Sequence, residues 1–189
     1  MKNHSIAFCA ALLASALLAA SAADVPLIDA DEPMFGWSFG RGEEFPGAKG
    51  SLGAAADVPA QRRPALALAA DFTGGGNYVQ MGRRIDPVDV DSLSLWVKAP
   101  KGADGFTLRL IDGTGQCHQL PRRIAPSGEW QRIVFPVLRY FEKAGTSEAV
   151  DFVGRYEKWS GANDSKWHQP IKGLYIIAGR HVLGETKKG

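Results

Sequence analysis

The segment from Asp91 to Asp112, DSLSLWVKAPKGADGFTLRLID, constrains this chain more than any other. Leu93, Leu95 and Val97 alternate with Ser94, Trp96 and Lys98; Phe106, Leu108 and Leu110 then alternate with Thr107, Arg109 and Ile111. A period of two places one apolar row per strand on a buried face, and few folds other than a layered sheet satisfy two such runs. The connector Ala99 to Gly105 carries Pro100, Gly102 and Gly105, which excludes a continuous helix. The two runs are expected to be neighbouring central antiparallel strands. On that pairing Trp96 and Arg109 share the non-core face, where a ligand could lie.

Further runs support an all-β chain. Phe35 to Phe39, Ala65 to Phe72, Tyr78 to Ile85, Trp130 to Val137 and Ile171 to Gly179 read as strands, with Val25 to Ile28 as a further opening strand. Over Ala65 to Phe72 a helix competes, because ALALAAD has high helical propensity. Pro64 and Gly74 to Gly76 bound the run closely and favour a strand. Gly42 to Gly53 is rich in turn residues and reads as a loop. Asp112-Gly-Thr-Gly115 is a tight hairpin signal, and Pro121 marks an edge or bend in the returning strand. Between Leu138 and Pro170 no strand is expected; Glu148 to Tyr156 reads as a short helix or turn. The whole predicts a jelly-roll β-sandwich of two antiparallel sheets. Its core is expected to hold Leu93, Leu95, Val97, Phe106, Leu108, Leu110, Ile133 and Phe135, with Trp37 and Trp130 in the core or at its rim.

Residues 1–23 read as a secretory signal peptide, with Lys2 ahead of an apolar run ending in small residues. The expected mature domain is 24–189, secreted or periplasmic, with no membrane attachment after cleavage. It keeps 21 basic and 20 acidic residues, a balance that argues against nucleic acid as partner. Cys117 is its single cysteine, so no internal disulfide forms.

The order of motifs resembles the jelly-roll, galactose-binding-like carbohydrate-binding modules found at the N-terminus of secreted bacterial glycoside hydrolases. The matching pieces are EFPGAKGSL (Glu44 to Leu52), DFTGGGNYV (Asp71 to Val79), SLSLWVKAP (Ser92 to Pro100), FTLRLIDGTGQCHQ (Phe106 to Gln119), GEWQRIVFP (Gly128 to Pro136) and WSGANDSKWHQPIKGLYII (Trp159 to Ile177). The resemblance implies non-catalytic binding of a poly- or oligosaccharide and a catalytic glycoside hydrolase domain in the same natural chain. Such modules close with a strand of the type apolar-Asp-Asp-apolar, so the chain is expected to lack its final strand. Folds of this kind can hold a structural Ca2+, but no ligand set is legible and no cofactor is expected.

Sugars are held by flat aromatic faces and a few polar groups. The candidate ligand residues are Trp96, Arg109, Tyr78, Gln80 and His118 on the sheet, with Trp159, Asn163, Asp164 and Trp167 as a rim. Each also has a plainer role. Trp96 could form a second core layer, Arg109 could pair with an acidic loop residue, His118 could be a satisfied histidine, and the loop indoles could simply pin their loop. A retaining glycosidase needs two carboxylates about 5 Å apart, and no acidic pair lies on a convincing central strand. A lyase using Tyr78, His118 and Arg109, and a structural domain packed against a catalytic partner, are the competing functions.

Overall fold

The computed structural model describes residues 36–56, 58–59, 65–101, 103–125, 127–137 and 156–182. Its strands are β1 (Trp37–Gly40), β2 (Lys49–Ala54), β3 (Leu66–Asp71), β4 (Tyr78–Val88), β5 (Ser92–Val97), β6 (Gly105–Ile111), β7 (Cys117–Arg123), β8 (Gln131–Pro136), β9 (Glu157–Trp159) and β10 (Ile171–Gly179). A 3-10 turn, Arg180–Val182, follows. One layer is a six-stranded sheet in the order β1-β4-β10-β6-β7-β9. The other consists of two ribbons, β2–β3 and β5–β8. Every pair is antiparallel, and the chain is an all-β sandwich.

Alternation determines where the core lies. Leu108 stands between Ile176 and Leu120 in register, and Leu110 between Leu174 and His118, so these side chains share the inner face of the large sheet. Against them pack Leu93, Leu95, Val97, Ile133 and Phe135 from β5 and β8. The Phe106 and Phe135 rings meet edge to face at 6.2 Å. Burying a side chain of this size contributes about 1.5–3 kcal/mol. A smaller cluster of Ala48, Ala70, Phe72, Val79 and Ala103 fills the space beneath β2–β3.

All eight expected core residues lie in the main cluster or pack against it. The expected pairing of β5 with β6 is overturned. β5 pairs with β8, whereas β6 pairs with β10 and β7, so the two alternating runs sit in opposite layers. The Pro/Gly connector carries the chain across the core instead of folding it back as a hairpin. Alternation reports which residues share a face, not which strands are neighbours.

Two smaller expectations change, and the edge expected at Pro121 holds. Within Gly42 to Gly53, Lys49–Ala54 is a strand, because Gly50 lies so close to β3 that a Cβ there would stand 2.2 Å from the Ala69 carbonyl oxygen. Pro121 sits inside β7 opposite Thr107. It is tolerated because β9 pairs with β7 only from Cys117 to Gln119, which leaves Pro121 without a partner on that side among the described residues. Glu157–Trp159 is a strand too short to carry a pattern. Trp37 and Trp130 are half-buried, at the rim. The signal segment, Val25 to Ile28, Glu148 to Arg155 and the chain beyond Val182 lie outside the described residues. No helix among the described residues is long and apolar enough to cross a membrane.

Neighbours in β8 test the face assignment. Phe135 is 1 % exposed and Val134 is 41 % exposed. Phe135→Ala should cost about 3–5 kcal/mol in urea unfolding, and Val134→Ala should stay within about 0.5 kcal/mol. Similar losses from both would reject the two-layer arrangement.

Candidate functional site

Residues that alternate with the core row project from the outer face of the six-stranded sheet, and Arg109 of β6 is at its centre. In register beside it stand Tyr175 of β10 and Gln119 of β7. The Arg109 Cζ lies 5.6 Å from the centre of the Tyr175 ring and 5.1 Å from that of Trp159 on β9. Such cation–π contacts contribute about 0.5–2 kcal/mol each. Arg109 Nε donates to Gln119 Oε1 at 2.9 Å, and its Nη1 donates to Gln80 Oε1 at 3.2 Å. Gln119 Nε2 in turn donates to Glu157 Oε2 at 2.8 Å. Trp159 is 37 % exposed, so part of the residue is open to solvent.

Tyr78 extends the row on β4. Its hydroxyl donates to Glu44 Oε1 at 2.5 Å, and Phe45 meets its ring edge-on at 6.5 Å. That hydrogen bond lowers the Glu44 carboxyl from its ordinary value, while burial and then Glu44 raise the Tyr78 hydroxyl. Further along the same face Thr107 and Ile177 are buried. Gly82 makes room for the platform: a Cβ there would lie 2.1 Å from Tyr175 Cδ1.

Trp159 is held by a buried network at the β6–β7 hairpin. Asp112, Gln116 and His118 are 0 %, 0 % and 1 % exposed. Asp112 Oδ1 accepts from the Thr114 amide, the Thr114 hydroxyl and the Gln116 amide. Its Oδ2 lies 3.3 Å from His118 Nε2, and His118 Nδ1 lies 2.8 Å from the Tyr156 hydroxyl. Gln116 Nε2 donates to the Lys166 carbonyl at 2.8 Å and Gln116 Oε1 accepts from the Ser165 amide. The Thr114 hydroxyl accepts from the Ala162 amide. These bonds clamp a loop in which Ser160, Gly161, Asn163 and Ser165 all have positive φ.

The structure divides the expected ligand residues into two groups. Arg109, Tyr78, Gln80 and Trp159 come together on the outer face. Trp96 does not join them. It projects from β5 opposite Arg132, on the far side of the sandwich, and is 46 % exposed. His118 shares the inner face with Leu110 and is sealed in the hairpin network. Trp167 packs against the core and lies 5.5 Å from His118. Asn163 accepts hydrogen bonds from Lys158, and Asp164 accepts from the Lys166 amide and contacts His168. These bonds hold the Asp164 carboxyl down at about 2. Both residues serve the loop and stand apart from the Arg109 face. The lyase trio is separated as well, because His118 and Arg109 lie on opposite faces of adjacent strands.

Tyr175, Gln119, Glu44 and Glu157 were not anticipated. Tyr175 is hidden within the apolar run IKGLYIIAG, where only its alternation with Leu174 and Ile176 marks it as outward. No group of three or more His, Cys, Asp or Glu among the described residues is placed to hold a metal ion. No family model and no curated protein matches the chain.

Burial keeps His118 neutral by lowering its pKa below the ordinary 6.5. Burial pushes Asp112 up, but hydrogen bonds from Thr114, His118 and Gln116 outweigh it and leave the carboxyl low. The unfolded chain therefore binds protons that the folded chain refuses. Stability should fall as pH drops from about 6.5 through the His118 value, and fall again below about 4 through that of Asp112. The melting temperature should decline between about pH 7.5 and 5, and His118→Gln should flatten that decline. An equal decline in both proteins would exclude His118 as the responsible group.

Proposed function

We propose that the chain is a non-catalytic carbohydrate-binding module that takes a poly- or oligosaccharide on the outer face of its six-stranded sheet. It serves as an accessory domain of a secreted glycoside hydrolase. The observation that carries this reading is the row of Trp159, Arg109 and Tyr175, bordered by Gln80, Gln119, Tyr78 and Glu157. A sugar ring offers apolar C–H faces to an indole or phenol and hydroxyls to amides, carboxylates and a guanidinium. All of these groups occur here on one face, projected from rigid strands. The sequence resemblance points to the same class of ligand. The adjacent-strand arrangement of motifs and the expected export are compatible with a module that brings a catalytic domain to its polymer.

A glycan array or affinity electrophoresis tests binding directly. Trp159→Ala and Tyr175→Ala should each weaken retention about tenfold or more, as removal of an aromatic anchor does. Gly82→Ala should act like Tyr175→Ala, because the new methyl displaces the ring. Trp96→Ala should leave retention unchanged. Melting temperatures separate a lost site from a lost fold. An unmutated chain that ignores every glycan would favour the structural-domain alternative, and retention lost with Trp96→Ala alone would move the site to the opposite sheet.

A further inference from the structure

Arg109 is half-buried; it donates to the amide oxygens of Gln119 and Gln80 and also interacts with the Tyr78 hydroxyl, so its direct partners are all neutral. The guanidinium has five N–H donors, more than Gln119, Gln80 and the Tyr78 hydroxyl together take up. No carboxylate among the described residues forms an ion pair with it. Two acids at the rim are engaged in other hydrogen bonds, Glu44 with Tyr78 and Glu157 with Gln119, although the Glu44 charge still acts on Arg109 from a distance. Arg109 is thus a half-buried cation between two aromatic rings that feels the Glu44 charge at a distance and has no carboxylate in direct contact among the described residues, a contact that a ligand can supply. The open fork of a guanidinium matches the two oxygens of a carboxylate.

We propose that the saccharide is acidic, a uronate whose carboxylate is received by Arg109 between Trp159 and Tyr175. This inference rests on the carbohydrate reading above. The rim refines the choice of anion. Glu44 and Glu157 flank the slot with negative charge, which disfavours a phosphate monoester, with its nearly two negative charges, more than a monoanion. A uronate brings one diffuse charge for Arg109 and several hydroxyls that donate to the rim carboxylates. Gln80 and Gln119 hold the guanidinium in position without neutralising it. They therefore orient the cation and leave its charge for the ligand.

The test uses paired probes: oligosaccharides of galacturonate, glucuronate, mannuronate and guluronate, each against its carboxyl-reduced counterpart, titrated into the chain by calorimetry. The wild type should bind at least one acidic member about tenfold or more tightly than its reduced partner. That preference should shrink as salt is raised. Arg109→Gln should abolish the preference, and Arg109→Lys should restore only part of it, because an ammonium lacks the fork. Equal binding of acidic and reduced members by the wild type overturns the acidic ligand and leaves the carbohydrate reading standing. Binding of neither member of any pair overturns both. The wild-type comparison decides the matter even if an Arg109 variant fails to fold.

Discussion

The buried carboxylate of Asp112 holds together parts of the molecule that are far apart in sequence. One of its oxygens accepts three hydrogen bonds inside the β6–β7 turn, and the other faces His118. Through Thr114 and Gln116 the same turn grips the backbone from Ala162 to Lys166. Ser160, Asn163 and Ser165 adopt a left-handed backbone there, which disfavours each by about 1–2 kcal/mol. Hydrogen bonds of about 1 kcal/mol apiece offset that strain. Trp159 enters this loop directly from β9, so the position of its indole over Arg109 depends on a carboxylate on the far side of the sheet.

This arrangement separates the face that packs the core from the face proposed to take a ligand. The inner face of the large sheet carries Leu108, Leu110, Leu120, Leu174 and Ile176, and the outer face carries Arg109, Gln119 and Tyr175. Adjacent residues on one strand thus serve different ends. Gly82 links the two roles. Its missing side chain weakens the strand slightly and lets the Tyr175 ring lie across it.

Much of the fold was legible in the sequence because strand alternation is a local property. Leu93, Leu95, Phe106, Leu108, Ile133 and Phe135 all face the core as their spacing predicts. Partnership between strands is not local, and the error about Trp96 followed from that. A short Pro/Gly connector serves a hairpin and a crossover equally well. The site was half legible for the same reason. Arg109, Tyr78, Gln80 and Trp159 stand out as polar or aromatic residues in strand contexts. Tyr175 is masked by apolar neighbours, and Glu44 reaches the face from a loop whose path no periodicity describes.

The chain of hydrogen bonds across the face has a consequence for how a polymer would lie on it. Glu157 accepts from Gln119, and this fixes which end of the Gln119 amide is turned toward Arg109. Without that carboxylate the amide could rotate and present its NH2 to the guanidinium. With it in place, the donors from Arg109 to Glu157 run in one sense, Arg109 to Gln119 and Gln119 to Glu157, while the bond from Arg109 to Gln80 points the other way and ends there. The face is therefore a vector, with acceptors at the β9 end and positive charge at its middle. A glycan is also a vector, because its reducing and non-reducing ends differ. The two orientations of one chain are then unequal in energy, and a catalytic domain joined to this one would meet its polymer from a consistent direction.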